Sequence, residues 1–245
     1  INLEYLRIIP RLDIKSGNLI KGINLEGLRV LGDPNKFALE YYNQNADELL
    51  FMDVVATLYG RNNLEKTIRE ISKDIFIPIT VGGGIRNIDD ASRMFENGAD
   101  KIALNTAVLN NNKLLEDLVK KFGSQNIIVS IEAKNISEKL WHAYTHNGRE
   151  KTNINVIDWI KKINLIGAGE ILLTSIDKEG MRKGFDIKLA QEASKSSNIP
   201  LIISGGMGSL EHLKDIVNMV DAICVADALH YKRYSIQDIK SFLDI

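Results

Sequence analysis

Eight short apolar runs recur along the chain: Leu6–Leu12, Glu48–Met52, Ile77–Val81, Lys101–Leu104, Ile127–Ile131, Glu170–Thr174, Leu201–Ser204 and Ala222–Val225. They are apolar throughout rather than alternating, as parallel strands are when their outer face is covered. Between them lie stretches with helical spacing of apolar positions: Lys36–Asn45, Leu64–Ser72, Ile88–Asn97, Lys113–Phe122, Val156–Ile166, Ile187–Ser196 and Leu210–Asn218, with a last one at Ser235–Leu243. Eight β–α units in one chain predict a single (β/α)8 barrel, the TIM-barrel architecture. A doubly wound open sheet is the alternative. Even spacing and the lack of an edge-like strand count against it.

Local punctuation agrees. Gly98 and Gly167 fall where a helix must stop before the fourth and sixth strands, and glycine suits the left-handed C′ position. Pro78 and Pro200 sit at the start of the third and seventh strands, where proline is tolerated. No linker-like segment divides the chain, so one domain is expected over 1–245. Two long connections, Lys15–Pro34 and Lys134–Asn155, follow the first and fifth strands and read as lids or binding loops.

The pattern also repeats at about half the chain length. Ile8–Asp13 followed by Ile-Lys resembles Ile127–Glu132 followed by Ala-Lys. Thr80–Gly84 matches Ile203–Gly206, Ala99–Ile102 matches Val220–Ile223, and Glu48–Phe51 matches Glu170–Leu173. This implies a pseudo-twofold barrel of two half-barrels, about 1–122 and 123–245.

Composition narrows the function. The chain has 245 residues, 44% of them hydrophobic, with 31 basic against 32 acidic side chains. Near-neutral charge gives no case for nucleic acid or a charged membrane surface. One cysteine, Cys224, excludes a disulfide framework and points to a reducing cytoplasm. No apolar stretch approaches a membrane span, and the N-terminal INLEYLRIIP does not read as a signal peptide. The four histidines and the cysteine lack metal-ligand spacing, so neither a metal nor another cofactor is expected.

The candidate chemistry lies at strand ends. Asp13 and Glu132, one from each half, would face one cavity and could serve as general acid and base; each could also simply end its strand and take a loop hydrogen bond. The glycine turns Gly82, Gly83, Gly84 and Ser204, Gly205, Gly206 suit phosphate, because backbone N–H groups can approach an anion closely there. Two such turns suggest a ligand with a phosphate at each end. Asn105 and Thr106 complete the first site. Asp227 stands in the equivalent place at the second, where a carboxylate repels phosphate. At the opposite strand ends, Arg7, Glu48, Lys101 and Glu170 could form an ion-paired ring. Such a ring could plug the barrel base, gate an axial passage or dock a partner.

Along nearly its whole length the chain resembles the cyclase subunit of imidazole glycerol phosphate synthase (HisF). The resemblance is carried by Arg7–Lys15, Lys21-Gly, Gly32-Asp-Pro, Ala46–Leu49, Thr80–Arg86, Gly98–Lys101, Phe122–Gln125, Gly167–Asp177 and Ser204–Gly206. The sister isomerase HisA shares the glycine motifs but not the Gly169–Ser175 run. The resemblance implies that a HisH-type glutaminase docks on the ring face as a heterodimer and that ammonia passes the ring along the axis. A bisphosphorylated aminoimidazole carboxamide ribonucleotide would then be cleaved and cyclised to imidazole glycerol phosphate at the other end. It makes Asp13 and Glu132 the acid and base, with Lys21 assisting. Asn105, Thr174, Gly180 and Ser204 would touch substrate, and Asp100 would signal to the glutaminase.

The chain departs from that family at specific places. Glu132 replaces the second aspartate. Arg11 stands where a small residue is usual and must be paired if buried, with Asp13, Asp53 and Glu132 as candidate partners. Glu179, Met181 and Asp227 replace Asp, Thr and Ser. Three readings stay open: the cyclase-type lyase, a glutaminase-activating partner that conducts ammonia to a separate sugar amidotransferase, and a HisA-like sugar-phosphate isomerase.

Overall fold

The computed structural model describes residues 6–54 and 64–245. In chain order the strands are β1 (Arg7–Lys15), β2 (Asn18–Ile23), β3 (Glu26–Gly32), β4 (Leu49–Asp53), β5 (Ile79–Gly82) and β6 (Lys101–Leu104). They continue as β7 (Ile127–Ser137), β8 (Leu140–Thr145), β9 (Glu150–Asn155), β10 (Glu170–Ser175), β11 (Leu201–Ser204) and β12 (Ala222–Val225). The helices are α1 (Pro34–Asn43), α2 (Leu64–Ile71), α3 (Ile88–Glu96), α4 (Thr106–Asn110), α5 (Asn112–Phe122), α6 (Val156–Ile166), α7 (Ile187–Ser196), α8 (Asp227–His230) and α9 (Ile236–Leu243).

Eight strands pair in parallel around a closed ring, in the order β1, β4, β5, β6, β7, β10, β11, β12 and back to β1. This is the (β/α)8 barrel that the run pattern predicts; the open sheet is excluded by the β1–β12 pairing. Side chains alternate across each strand. On β1, Ile8, Leu12 and Ile14 join the large core between strands and helices. Ile9 instead joins an inner cluster with Leu50, Met52, Ala103, Ile128, Leu172, Ile202 and Cys224, which fills the bore. Arg7, Arg11 and Asp13 share the inward side of β1 with Ile9, so polar layers lie below and above an apolar one.

The helices start on the caps that their sequences offer. Asn87 accepts from Asp90 N, Asn155 from Ile157 N and Asp158 N, and Ser235 forms a capping box with Asp238. Gly98 and Gly167 take positive φ, at 106° and 92°. Asp100 Oδ2 accepts from Ile79 N at 2.8 Å, and Asp221 Oδ2 from Leu201 N at 2.8 Å. Two strands half a barrel apart are thus pinned at their starts in the same way.

Three local expectations change. Leu210–Leu213 is a 3-10 helix, and the chain beyond it continues in turns rather than an α-helix. The spacing of Leu213, Ile216, Val217 and Val220 suits three residues per turn as well as 3.6. The two long connections are hairpins rather than irregular lids: β1 runs on to pair with β2 and β3, and β7 with β8 and β9. Their alternation, with Trp141, Ala143 and Thr145 buried on one side of β8, is too short to stand out. Two short helices, α4 and α8, were not apparent from periodicity. No described helix is long and apolar enough to cross a membrane. The N-terminal expectation rests partly on residues 1–5, outside those described.

Phe51 lies fully buried in the shell between strands and helices. Phe51→Ala is expected to destabilise by about 3–5 kcal/mol. A fall in the urea midpoint with unchanged m would register it.

Candidate active site

The reaction end is built on β1, β7 and the turns after β5, β6, β10, β11 and β12. Glu132, on β7, is 4% exposed. Its Oε2 accepts from Asn105 Nδ2 at 3.0 Å and from the Gly148 backbone N–H at 2.7 Å. Burial pushes its pKa up to about 7; the nearby Asp13 charge adds to that, while Arg11, Gly148 and Asn105 act the other way. A carboxyl tuned near neutrality can give and take a proton.

Asp13, across the bore on β1, is 5% exposed and is bound elsewhere. Arg11 Nε donates to Asp13 Oδ1 at 2.8 Å, and Arg11 Nη1 donates to Thr174 Oγ1 at 3.1 Å. Of the three partners weighed for Arg11, the structure selects Asp13. Thr174 is fully buried, and its hydroxyl accepts that hydrogen bond from Arg11. Lys21, carried on β2, is buried in an ion pair with Glu179. Burial alone would lower its pKa, but the charges of Glu179 and Asp13 outweigh this and raise it.

The two glycine turns differ sharply. The first borders a cavity of about 330 Å³ lined by Gly83, Gly84, Arg86, Asn105, Thr106, Glu132 and Asn147, among others. Gly83 has φ +92°, and a Cβ there would sit 2.1 Å from Asp53 O, so only glycine fits. Gly82 does not line the cavity; it packs against Met52. Asn105 spends its amide N–H groups on Glu132 and Tyr144 O, and Thr106 Oγ1 accepts from His146 N at 3.2 Å. Both therefore position the wall as well as line it. Arg86 and Asn147, which are not among the candidates read from the sequence, also line this cavity. An arginine two positions beyond three glycines was a legible signal for the first; nothing local marked the second.

The second turn, with Ser204, Gly205, Gly206 and Gly180, borders a space of only about 20 Å³. Asp227 closes it. Arg182 donates to its two oxygens at 2.8 and 3.1 Å, and Arg233 binds it from the other side. Burial would raise the Asp227 pKa, but the two guanidinium groups outweigh it and hold the carboxyl low. The repulsion expected of this carboxylate toward an anion is thus offset by two cations. Gly180 serves the β2–β3 hairpin: a Cβ there would meet Gly22 O at 2.8 Å.

At the opposite mouth Arg7, Glu48, Lys101 and Glu170 close a ring. Arg7 donates to Glu48 at 2.6 Å and to Glu170 at 2.7 Å, and Lys101 donates to Glu48 at 3.1 Å and to Glu170 at 2.5 Å. Burial would raise the Glu170 pKa, yet Arg7 and Lys101 pull it below its usual value. Asp100 lies on this face, exposed, with one oxygen holding the start of β5. Among the described residues no three His, Cys, Asp or Glu side chains group to hold a metal ion.

A profile of the histidine biosynthesis protein family matches residues 7–235. The chain belongs to that family. It is 55% identical to the imidazole glycerol phosphate synthase subunit HisF of Legionella pneumophila over 209 residues, 85% of this chain and 99% of that one. Proteins of the same name from a Hydrogenobaculum species and from Sulfurisphaera tokodaii are 44% and 43% identical over 97% of this chain and 95% of their own. Arg11, Glu132, Glu179, Met181 and Asp227 are the positions that the resemblance sets apart; of these, Arg11 pairs with Asp13, Glu132 accepts from Asn105, Glu179 pairs with Lys21 and Asp227 with Arg182.

Glu132 also yields a pH prediction. Its folded pKa of about 7 lies above the ordinary 4.5, so the folded state keeps its proton where the unfolded chain has lost it. Stability is therefore full below about pH 4.5 and falls as pH rises to about 7. Glu132→Gln should remove this loss, gaining on the order of 3 kcal/mol over wild type at neutral pH and nothing at pH 4. Urea denaturation at both pH values measures the difference; an equal difference at both would refute it.

Proposed function

We propose that this chain is the cyclase-type lyase subunit of an ammonia-using amidotransferase. It would convert a bisphosphorylated aminoimidazole carboxamide ribonucleotide to imidazole glycerol phosphate and aminoimidazole carboxamide ribonucleotide. Ammonia would come from a HisH-type glutaminase docked on the ring face. The observation that carries this reading is Glu132: a carboxyl with a pKa near neutrality on the wall of a cavity of about 330 Å³, beside an anion-suited glycine turn. Cleaving the precursor requires a proton for the departing nitrogen, and using ammonia requires removal of one. Glu132 suits the donor role while protonated. Asp13, across the bore, suits the acceptor role once it leaves Arg11. Gly83, Gly84, Arg86 and Thr106 would hold one phosphate. The relatives' HisF name supports this reading over the isomerase.

Three contacts are what a second reading rests on. Asp13 is paired with Arg11, Lys21 is paired with Glu179, and Asp227 fills the second glycine turn. A chain so arranged could activate a glutaminase and conduct ammonia to a separate sugar amidotransferase with little chemistry of its own. The discriminating experiment is turnover of the bisphosphate by purified protein with an ammonium salt as nitrogen source. Turnover is expected, and Asp13→Asn should lower it by about 10²–10⁴-fold. Absence of wild-type turnover would leave the second reading standing.

A further inference from the structure

We propose that Arg11 is a bar across the barrel bore, closing the way between the charged ring and the reaction-end cavity while holding Asp13 away from proton transfer. The inward side of β1 shows the layers. Arg7 belongs to the ring, Ile9 to the apolar layer above it, then come Arg11 and Asp13. Between the ring and Arg11 lies a space of about 10 Å³ lined by Ile9, Leu50, Ile128, Leu172, Ile202 and Cys224, among others. That is scarcely room for one water molecule.

The side chain crosses the bore rather than lying along its own strand. It starts on β1 and reaches Thr174 on β10, which round the barrel wall is separated from β1 by β12 and β11. It is 2% exposed. Its backbone is fixed as well: His230 Nε2 lies 2.9 Å from Arg11 O, and His230 Nδ1 lies 2.6 Å from Tyr41 Oη. A guanidinium cannot shed its charge near neutral pH, so the bar cannot be lifted by deprotonation. It opens only when the side chain moves: releasing Thr174 frees the far end, and full withdrawal from the bore also breaks the pair with Asp13. Full withdrawal therefore opens the axis and frees the carboxylate together. What passes, ammonia, rests on the reading above; the bar itself does not.

Cys224 is the chain's single cysteine, is buried, and lines both this space and the narrow one at the second glycine turn, which makes it a reporter needing neither substrate nor partner. The probe is methyl methanethiosulfonate, small and neutral, with the labelled mass read against time. Wild type should react slowly. Arg11→Ala combined with Asp13→Asn, which removes the bar and leaves no lone buried charge, should react at least 10-fold faster. Its rate should not change with low urea, which excludes labelling through unfolding. Burial pushes the Cys224 thiol pKa up; of the two charges removed, Arg11 lowers it and Asp13, with the smaller effect, raises it, so loss of the pair's charges by itself would not speed the thiolate reaction. Should the double variant fail to fold, Thr174→Val, which removes only the far anchor, should still raise the rate severalfold. Wild-type labelling as fast as the folded variant's, or a folded variant as slow as wild type, would overturn the bar. Failed turnover with an intact labelling difference would overturn only the cyclase reading.

Discussion

The interior of this barrel is governed by the cost of burying charge. Removing an ion from water costs several kcal/mol even after relaxation, so charges inside the bore must come with partners. The bottom layer meets this with two cations and two carboxylates arranged alternately. Higher up, Arg11 takes Asp13 and Lys21 takes Glu179. Glu132 is the member of the upper set whose own hydrogen bonds come from an amide and a backbone N–H. It meets the same cost by holding its proton to about pH 7. Glu132 is thus the carboxyl on the cavity wall whose pKa lies near neutrality.

The hairpins deliver this arrangement. β8 and β9 prolong the β7 ladder so that the turn between them lies over the mouth, with His146, Asn147 and Gly148 in succession at positive φ. That turn gives one backbone N–H to Glu132 and another to Thr106. The β2–β3 hairpin brings Lys21 to Glu179, and the Asn24 N–H binds Glu179 O at 2.8 Å. Both hairpins set side chains by backbone hydrogen bonding, which explains how such long insertions yield fixed contacts.

The charged side chains at the reaction end are mostly compensated. Arg11 would be intolerable in the bore without Asp13. Asp227 would leave an uncompensated anion beside Gly205 and Gly206 without Arg182 and Arg233. Glu179 is tied to Lys21. Single replacements of this kind would be costly, whereas compensated ones keep the fold and change which groups are free to act. The ring, which touches none of these positions, stays closed on its own four residues.

From the chain alone, the eight strands, most of the helices and the inward placement of Arg7, Arg11, Asp13 and Glu132 could be read. Strand runs, caps such as Asn87 and Ser235, and two-residue alternation are local properties, set by neighbours a few positions apart. The hairpins and the 3-10 turn at Leu210 escaped because their periodicity is short or ambiguous. Which carboxylate holds Arg11, that Thr174 faces Arg11, that Asp227 is bridged by two arginines, and that one glycine turn opens on a cavity while the other is nearly filled were decided only in three dimensions. Some of those contacts span the chain, 163 positions for Arg11 and Thr174; others, such as Arg11 with Asp13 and Asp227 with Arg233, join near neighbours but win out over distant candidates inside the bore, and no local pattern records the winner of that competition.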